Sequence, residues 1–383
     1  MTQFSDSSLS KTFFPKKLTI ALIIKNFVAT GGAERYAVEV AQRTLDKGHK
    51  IHLYAKNIDK SLTKGMTVFM IPEKLNFSSA LSLYSFAEQT SKLIAGKQYD
   101  VIHSHDKGCT GHVSTLHTFS YKKGIENISL LKKINDFWLS PRAWLYLYME
   151  KKQAKSYMLA AVSEIIRDDI KTYHKREDNV IIITPGVDID RFNPEFIAQE
   201  RSRARERENL KPGEIVVLFV GSEFKRKGLD HLIPSMGENM KLFVVGRKEH
   251  MGHYRRLAKL YHLSDRICFT GLTDNILKYY ALSDIVVLPS ISEAFGMTLL
   301  EGMACGLPVV SSNATGCSSL IKNNENGFVF QNNKELSGIL NTLKDKDIRK
   351  QIGNQARKTA ANHTWDKTAQ RYEALYYDIA KAN

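Results

Sequence analysis

The sequence predicts an α/β protein built on two doubly wound parallel sheets. Three observations predict it. Short apolar runs of strand length alternate with segments that carry helical spacing, which is the pattern of βαβ units. The alternation comes as two series, separated by the polar stretch IAQERSRARERENLK at 197–211. The chain has 383 residues, too many for one ordinary core, so each series has the length to bury its own.

The first series opens with LTIALII (18–24), a continuous apolar run suited to a strand buried on both faces. A turn, Ala29-Thr30-Gly31-Gly32, leads into the helix pattern AERYAVEVAQRTLDKG, which stops at Gly48 before the strand HKIHLYA. YDVIHSH, HVSTLHT, AAVSE and NVIIITPGV continue the series. The second begins at EIVVLFVGS (214–222) and runs through KLFVVGR, ICFTG, DIVVLPS and LPVVSS. Between the two, 197–211 reads as an exposed helix near a hinge. TWDKTAQRYEALYYDI (364–379) reads as an amphipathic closing helix anchored by Trp365, Tyr372, Leu375 and Tyr376. These patterns divide the chain into a loose tail (1–16), a first domain (17–190), a second domain (191–365) and a C-terminal helix (366–383) expected to pack back on the first. Ligand crevices of doubly wound sheets lie at the carboxyl ends of their strands, so two such domains facing each other would enclose one cleft.

Composition narrows the function. The content is 43% apolar and 25% charged, typical of a soluble globular protein. Cys109, Cys268, Cys305 and Cys317 are widely spaced with no CxxC pair, which argues against a zinc ribbon or a disulfide framework. No apolar run approaches the length of a membrane span, and residues 1–16 lack the apolar core of a signal peptide. A net charge of +15 calls for an anionic partner. Nucleic acid is disfavoured, because no recognition motif accompanies the charge.

The densest chemical signal is SEAFGMTLLEGMACGLPVV (292–310). Glu293 precedes a helix start and Glu301 lies about two turns beyond it. Between them, Gly296, Met297, Thr298, Leu299 and Leu300 form the helix entry, where unpaired N–H groups and the helix dipole suit a diphosphate. Carboxylates are poor phosphate ligands but good acceptors for sugar and ribose hydroxyls, so the stretch reads as a nucleotide-sugar site. The turn at Gly31-Gly32 allows close approach of the backbone to a phosphate or sugar. His103, His105 and His112 crowd one region, yet no carboxylate is spaced to complete a metal site.

Six stretches together resemble the GT-B glycosyltransferases, specifically the retaining class of family 4. They are GGAERYAVEVAQRTLDKGH (31–49), STLHTF (114–119), AVSEIIRDDI (161–170), PGVDIDRFNP (185–194), GSEFKRKGLDHLI (221–233) and the 292–310 segment. The GSEFKRKG form is most similar to the lipopolysaccharide core glucosyltransferase group. The resemblance implies two Rossmann-like domains facing each other across a cleft. It implies catalytic roles for His117, near the transferred sugar, for Lys227, neutralising the leaving diphosphate, and for Glu293, on the sugar hydroxyls. Donor-binding roles are implied for Gly31, Gly32, Arg226, Gly271, Leu272, Thr273, Gly296, Met297, Thr298, Leu299, Leu300 and Glu301, the last on the ribose. An arginine usual in the family is replaced here by Ser222, and Lys225 or Arg226 is the available substitute. The implied reaction is hexosyl transfer with retention from a nucleotide diphosphate sugar, UDP favoured, with no prosthetic group and no essential divalent metal. The chain lacks a DxD motif, which suits that reading. A nucleotide-sugar epimerase and a non-catalytic nucleotide-sugar or glycan binding protein are the alternatives.

The segment 121–155 carries eight Lys/Arg against three Asp/Glu, interleaved with aromatics. Lys122, Lys123, Lys132 and Lys133 beside Trp138 and Trp144 suit an anionic headgroup layer. The expected acceptor is lipid-linked or of lipopolysaccharide type, and the expected location is cytoplasmic, peripheral on the inner face of the cytoplasmic membrane. The competing expectation packs these aromatics into the first domain.

Overall fold

The structure, a computed structural model, describes residues 16–72, 74–75, 77–126 and 140–382. The first series folds in order as β1 (Thr19–Ile23), α1 (Gly32–Asp46), β2 (Lys50–Ala55), β3 (Thr67–Met70), α2 (Ser79–Ile94), β4 (Val101–Ser104), β5 (Val113–Leu116), α3 (Tyr121–Glu126), α4 (Pro141–Gln153), β6 (Met158–Ala161), α5 (Glu164–Asp169) and β7 (Val180–Ile182). Its seven-stranded sheet has the order β3-β2-β1-β4-β5-β6-β7. β1 is central because its run is apolar on both faces: Ile20, Ala21, Leu22 and Ile23 are all buried, and the strand pairs in parallel with β2 (Ile20 opposite Ile51) and β4 (Ile20 opposite Val101).

The second series follows as α6 (Pro194–Arg207), β8 (Ile215–Val220), α7 (Leu229–Ser235), β9 (Met240–Val245), α8 (Met251–Leu260), β10 (Ile267–Gly271), α9 (Ile276–Leu282), β11 (Ile285–Leu288), α10 (Met297–Ala304), β12 (Val309–Ser312), β13 (Phe328–Phe330), α11 (Asn333–Thr342), α12 (Lys346–Ala361) and α13 (Trp365–Ala382). The six-stranded sheet is ordered β10-β9-β8-β11-β12-β13. Val217, Phe219, Leu242, Val244, Ile285 and Val287 form its buried centre. Both sheets reverse direction of winding next to their first strand, between β1 and β4 and between β8 and β11. Such a switch point is where doubly wound sheets leave room for a ligand.

The described residues fall into two compact units, one drawn from 1–114, 148–157 and 369–383, the other from 115–147 and 158–368. Residues 369–382 of α13 therefore belong with the first unit. There Tyr36 Oη donates to Tyr372 Oη (3.0 Å), the Tyr376 hydroxyl meets His103 Nδ1 (2.6 Å), and Glu373 pairs with Lys47 and with His49 Nε2 (3.1 Å). The expected anchors Trp365, Tyr372, Leu375 and Tyr376 are all buried.

The stretch 197–211 differs from its expectation of simple exposure. The helix starts earlier, at Pro194, where Asn193 Oδ1 caps Phe196 N–H (2.7 Å). Arg201 Nη2 and Arg205 Nη1 both reach Asp284, at 2.5 and 3.2 Å. Charge spacing hid this face, because an arginine stem packs like an apolar residue while its head finds a buried carboxylate.

Candidate active site

The second sheet's switch point collects the charged residues. The loop after β8 runs from Gly221 to Gly228. Glu223 adopts a left-handed backbone (φ 56°), and its carbonyl accepts Lys227 N–H (3.0 Å). That turn folds the Lys227 stem across Gly221, where a Cβ would lie 2.3 Å from Lys227 Cδ. The loop after β11 is held as a short bridge: Glu293 N–H donates to Ala314 O (3.1 Å), and Gly316 N–H donates to Glu293 O (3.0 Å). Ser163, which N-caps α5, donates its hydroxyl to Ala294 O (2.6 Å). Gly316 leaves no space there, since a Cβ would stand 2.1 Å from Ala294 O.

The two loops meet at one carboxylate. Glu293 Oε2 lies 3.0 Å from Lys227 Nζ and 3.1 Å from Arg226 Nη1. Lys227 and Glu293 are largely shielded from water, with 14% and 16% of their side chains exposed, so the pairing is stronger than a surface ion pair. Arg226 also sends Nη1 to Ser292 O (2.7 Å), and Nε and Nη2 to Glu223 Oε2 (2.9 and 2.6 Å). Burial opposes the guanidinium charge, but Glu293 and Glu223 outweigh it and its pKa is raised. Ser222 is spent locally, its hydroxyl accepting Arg247 N–H (3.1 Å). Of the two expected substitutes for the family arginine, Arg226 is the one the structure brings to Glu293.

Beyond this network stands the entry of α10. Gly296 precedes the helix with φ 92°, a backbone that favours glycine, and offers no side-chain cap. A Cβ there would also meet Thr315 Cγ2 at 2.7 Å. Thr298 Oγ1 is buried and has no hydrogen-bond partner in the protein among the described residues. A helix entry without a side-chain cap and an orphaned hydroxyl suit a polar ligand. One helical stretch further, Glu301 is nearly buried and its Oε2 accepts from Tyr280 Oη (2.8 Å), which also reaches Thr298 O (3.2 Å). Met297, Leu299 and Leu300 share the same helix, and the last two are buried in the core.

Gly271 ends β10 with φ 87°, and its carbonyl accepts Gly246 N–H (3.0 Å). Leu272 stands 72% exposed beside it, and Thr273 Oγ1 accepts Asn275 N–H (3.1 Å). His117 directly follows β5. The residue is half-buried, and burial pushes its pKa down to about 3, so it is neutral throughout the physiological range. Gly31 precedes α1 with φ 95°, and Gly32 opens it.

Several histidines resolve into structural roles. His103 bonds Tyr376, and His112 Nδ1 accepts Ile102 N–H (3.2 Å). Among the described residues no group of three His, Cys, Asp or Glu could hold a metal ion. Of the basic aromatic segment, Lys132, Lys133 and Trp138 lie outside the described residues. Lys122 is exposed, Lys123 Nζ sits 3.5 Å over the Phe119 ring, and Trp144 is 49% exposed on α4. Among the described residues no helix is long and apolar enough to cross a membrane.

Sequence reasoning missed three residues. Glu223 and Tyr280 hold Arg226 and Glu301. Asp106, after β4, is a half-buried residue whose carboxylate accepts the Lys25 N–H after β1. Burial, with the Glu34 charge nearby, pushes its pKa up to about 6 despite that bond and the Lys25 charge. The i,i+3 spacing of Glu223 and Arg226 was the one local clue. The other two partnerships are long-range and leave no trace in spacing.

The model described as Glycosyltransferase Family 4 matches residues 30–191, and that described as Glycosyl transferases group 1 matches residues 200–359. The crystal structure of WaaG, a glycosyltransferase involved in lipopolysaccharide biosynthesis, superposes with a TM-score of 0.80 at 22% identity, covering 93% of this chain and 99% of that one. Anabaena Alr3699/HepE in complex with UDP-glucose gives 0.71 at 18% identity, covering 94% and 99%. N-acetyl-alpha-D-glucosaminyl L-malate synthase of Bacillus anthracis is 20% identical over 370 residues, 93% of this chain and 96% of that one. The structural likenesses establish the GT-B fold of two Rossmann-like domains with parallel sheets. The proteins matched are transferases and a synthase rather than epimerases, which sets the epimerase alternative aside.

Proposed function

We propose, from the premise that this chain is a GT-B glycosyltransferase carrying a family 4 and a group 1 domain, that it moves a hexose from a nucleoside diphosphate, by preference UDP, with retention at the anomeric carbon. The observation that carries the reading is the shared carboxylate of Glu293, held by Lys227 and Arg226 close to the entry of α10. In this reading the C1–O bond to the diphosphate breaks and its electron pair stays on the phosphate oxygen. The acceptor hydroxyl attacks C1 from the same face and passes its proton to that departing oxygen. Lys227 and the α10 entry stabilise the charge that accumulates. Glu293 accepts from sugar hydroxyls and serves as no nucleophile, because two cations occupy it. Glu301, aligned by Tyr280, accepts from the ribose, and Gly271 to Thr273 flank the base. Neutral His117 hydrogen-bonds a sugar hydroxyl, and Gly31-Gly32 permits close approach. Lysine and a helix entry supply the counter-charge that a divalent metal supplies elsewhere.

In the same reading residues 17–190 take the acceptor and 191–365 take the donor. The acceptor is lipid-linked or of lipopolysaccharide type, and the enzyme works at the inner face of the cytoplasmic membrane. The WaaG likeness and the exposed Trp144 and Lys122 support this. Anionic vesicles should bind the protein in a salt-sensitive way, and neutralising Lys122, Lys123, Lys132 and Lys133 should abolish it.

The decisive experiment is a thermal-shift series with nucleoside diphosphates and their sugars, since a ligand bound only by the native state raises Tm with its concentration over Kd. A shift with UDP-hexose, followed by release of UDP on adding a lipid-linked glycan, is the expected result. Absence of any shift across the series would sink the reading.

A further inference from the structure

Glu223 carries no assigned task, yet it touches both cations of the site. Its carbonyl accepts the Lys227 N–H (3.0 Å), and its Oε2 takes two N–H groups of Arg226 (2.9 and 2.6 Å). It does so from a left-handed backbone (φ 56°), a conformation that disfavours a residue with a Cβ. Its carboxylate is 61% exposed, so the ion pair by itself adds little stability. The loop therefore holds a left-handed residue whose side-chain ion pair contributes little to fold stability. Such strain marks a position with a local task.

The task follows from where the Arg226 donors go. Nε and Nη2 are taken by Glu223, and Nη1 is divided between Ser292 O and Glu293 Oε2. A guanidinium is a rigid planar fork, so fixing one edge aims the other. With Glu223 holding its outer edge, Arg226 points at the 292–293 backbone and at Glu293. Lys227 is a flexible point charge that can leave Glu293 for a diphosphate without leaving that carboxylate alone.

We propose that Glu223 is a positioning residue: through Arg226 it holds Glu293 in place for the hydroxyls of the donor sugar, and so sets how strongly the site prefers a nucleotide sugar over the nucleoside diphosphate lacking the sugar. This rests on the nucleotide-sugar reading of the site. Arg226 acts here as the carboxylate's fixed counter-ion, while Lys227 attends the phosphates.

The test is calorimetric binding of UDP and UDP-glucose to the full chain, wild type and variant. In Glu223→Ala the preference, expressed as Kd of UDP over Kd of UDP-glucose, should fall about tenfold, the equivalent of one charge-assisted hydrogen bond. Glu223→Gln keeps the shape and the same backbone demand, and should show a smaller loss in the same direction. In an Arg226→Ala background, Glu223→Ala should have no further effect on the preference, because its action runs through that guanidinium. A residue of purely structural importance would weaken both ligands alike. An unchanged preference with wild-type binding intact, or fully additive effects in the double variant, overturns the proposal alone. Absence of nucleotide binding in the wild type removes the underlying reading and this proposal with it.

Discussion

Lys227→Ala is the most direct probe of the reaction chemistry. Breaking the C1–O bond adds roughly one unit of negative charge to the diphosphate. Two unit charges about 4 Å apart interact by about 4 kcal/mol at an effective permittivity of 20. With about half of the charge developed at the transition state, Lys227 contributes on the order of 2 kcal/mol, and up to about 4 if bond breaking is nearly complete. That corresponds to roughly 30-fold to 1000-fold in kcat. Stability should change little, because Arg226 remains 3.1 Å from Glu293 Oε2 and no carboxylate is left without a counter-charge. The assay is UDP release from a saturating nucleotide sugar and acceptor, with Tm as the control for folding. A kcat within threefold of wild type, with donor affinity and Tm preserved, would refute the assignment of Lys227 to the leaving group.

Three further outcomes are expected. His117 is held down to about pKa 3, so between pH 3 and its unfolded value near 6.5 the unfolded chain binds a proton that the native state refuses; stability falls as pH drops through that window, and in His117→Gln urea midpoints between pH 7.5 and 4.5 should decline less steeply. Asp106 is the opposite case: its carboxyl, pushed up to about 6, favours the native state below its unfolded value near 3.8 and loses that advantage as pH rises to 6. Asp106→Asn should therefore raise Tm at pH 7.5 and leave it nearly unchanged at pH 3.5, and an equal change at both pH values would contradict the assignment. Gly316→Ala places a methyl group 2.1 Å from the Ala294 carbonyl, so the backbone next to Glu293 must move; kcat should drop at least tenfold with the soluble yield retained, and wild-type kinetics would show that the loop is not held as described.

Much of the fold could be read locally. The apolar runs 18–24 and 214–222 announce buried parallel strands, because a strand covered on both faces has no polar alternation to preserve. The Glu293–Glu301 spacing and the Gly296 helix start are equally local, and the structure places Gly296 immediately before α10. Arg226 was harder: with Lys225 and Lys227 it forms a run of three cations, and only the turn at Glu223 decides that Arg226 faces Glu293 together with Lys227. Tyr280 was out of reach, because nothing in a helix sequence tells which distant carboxylate a buried hydroxyl will meet.

The sequence by itself determined the two βαβ series, the glycine-led helix entries and the stock of cations and carboxylates, since each depends on a few adjacent residues and their backbone preferences. Only the tertiary structure decided the strand order in which β11 lies beside β8. That placement crosses β9 and β10, and it brings residues 226 and 293 into contact across 67 positions of chain. The order is set by how whole sheets twist and bury their helices, an energy summed over the domain that no single segment carries.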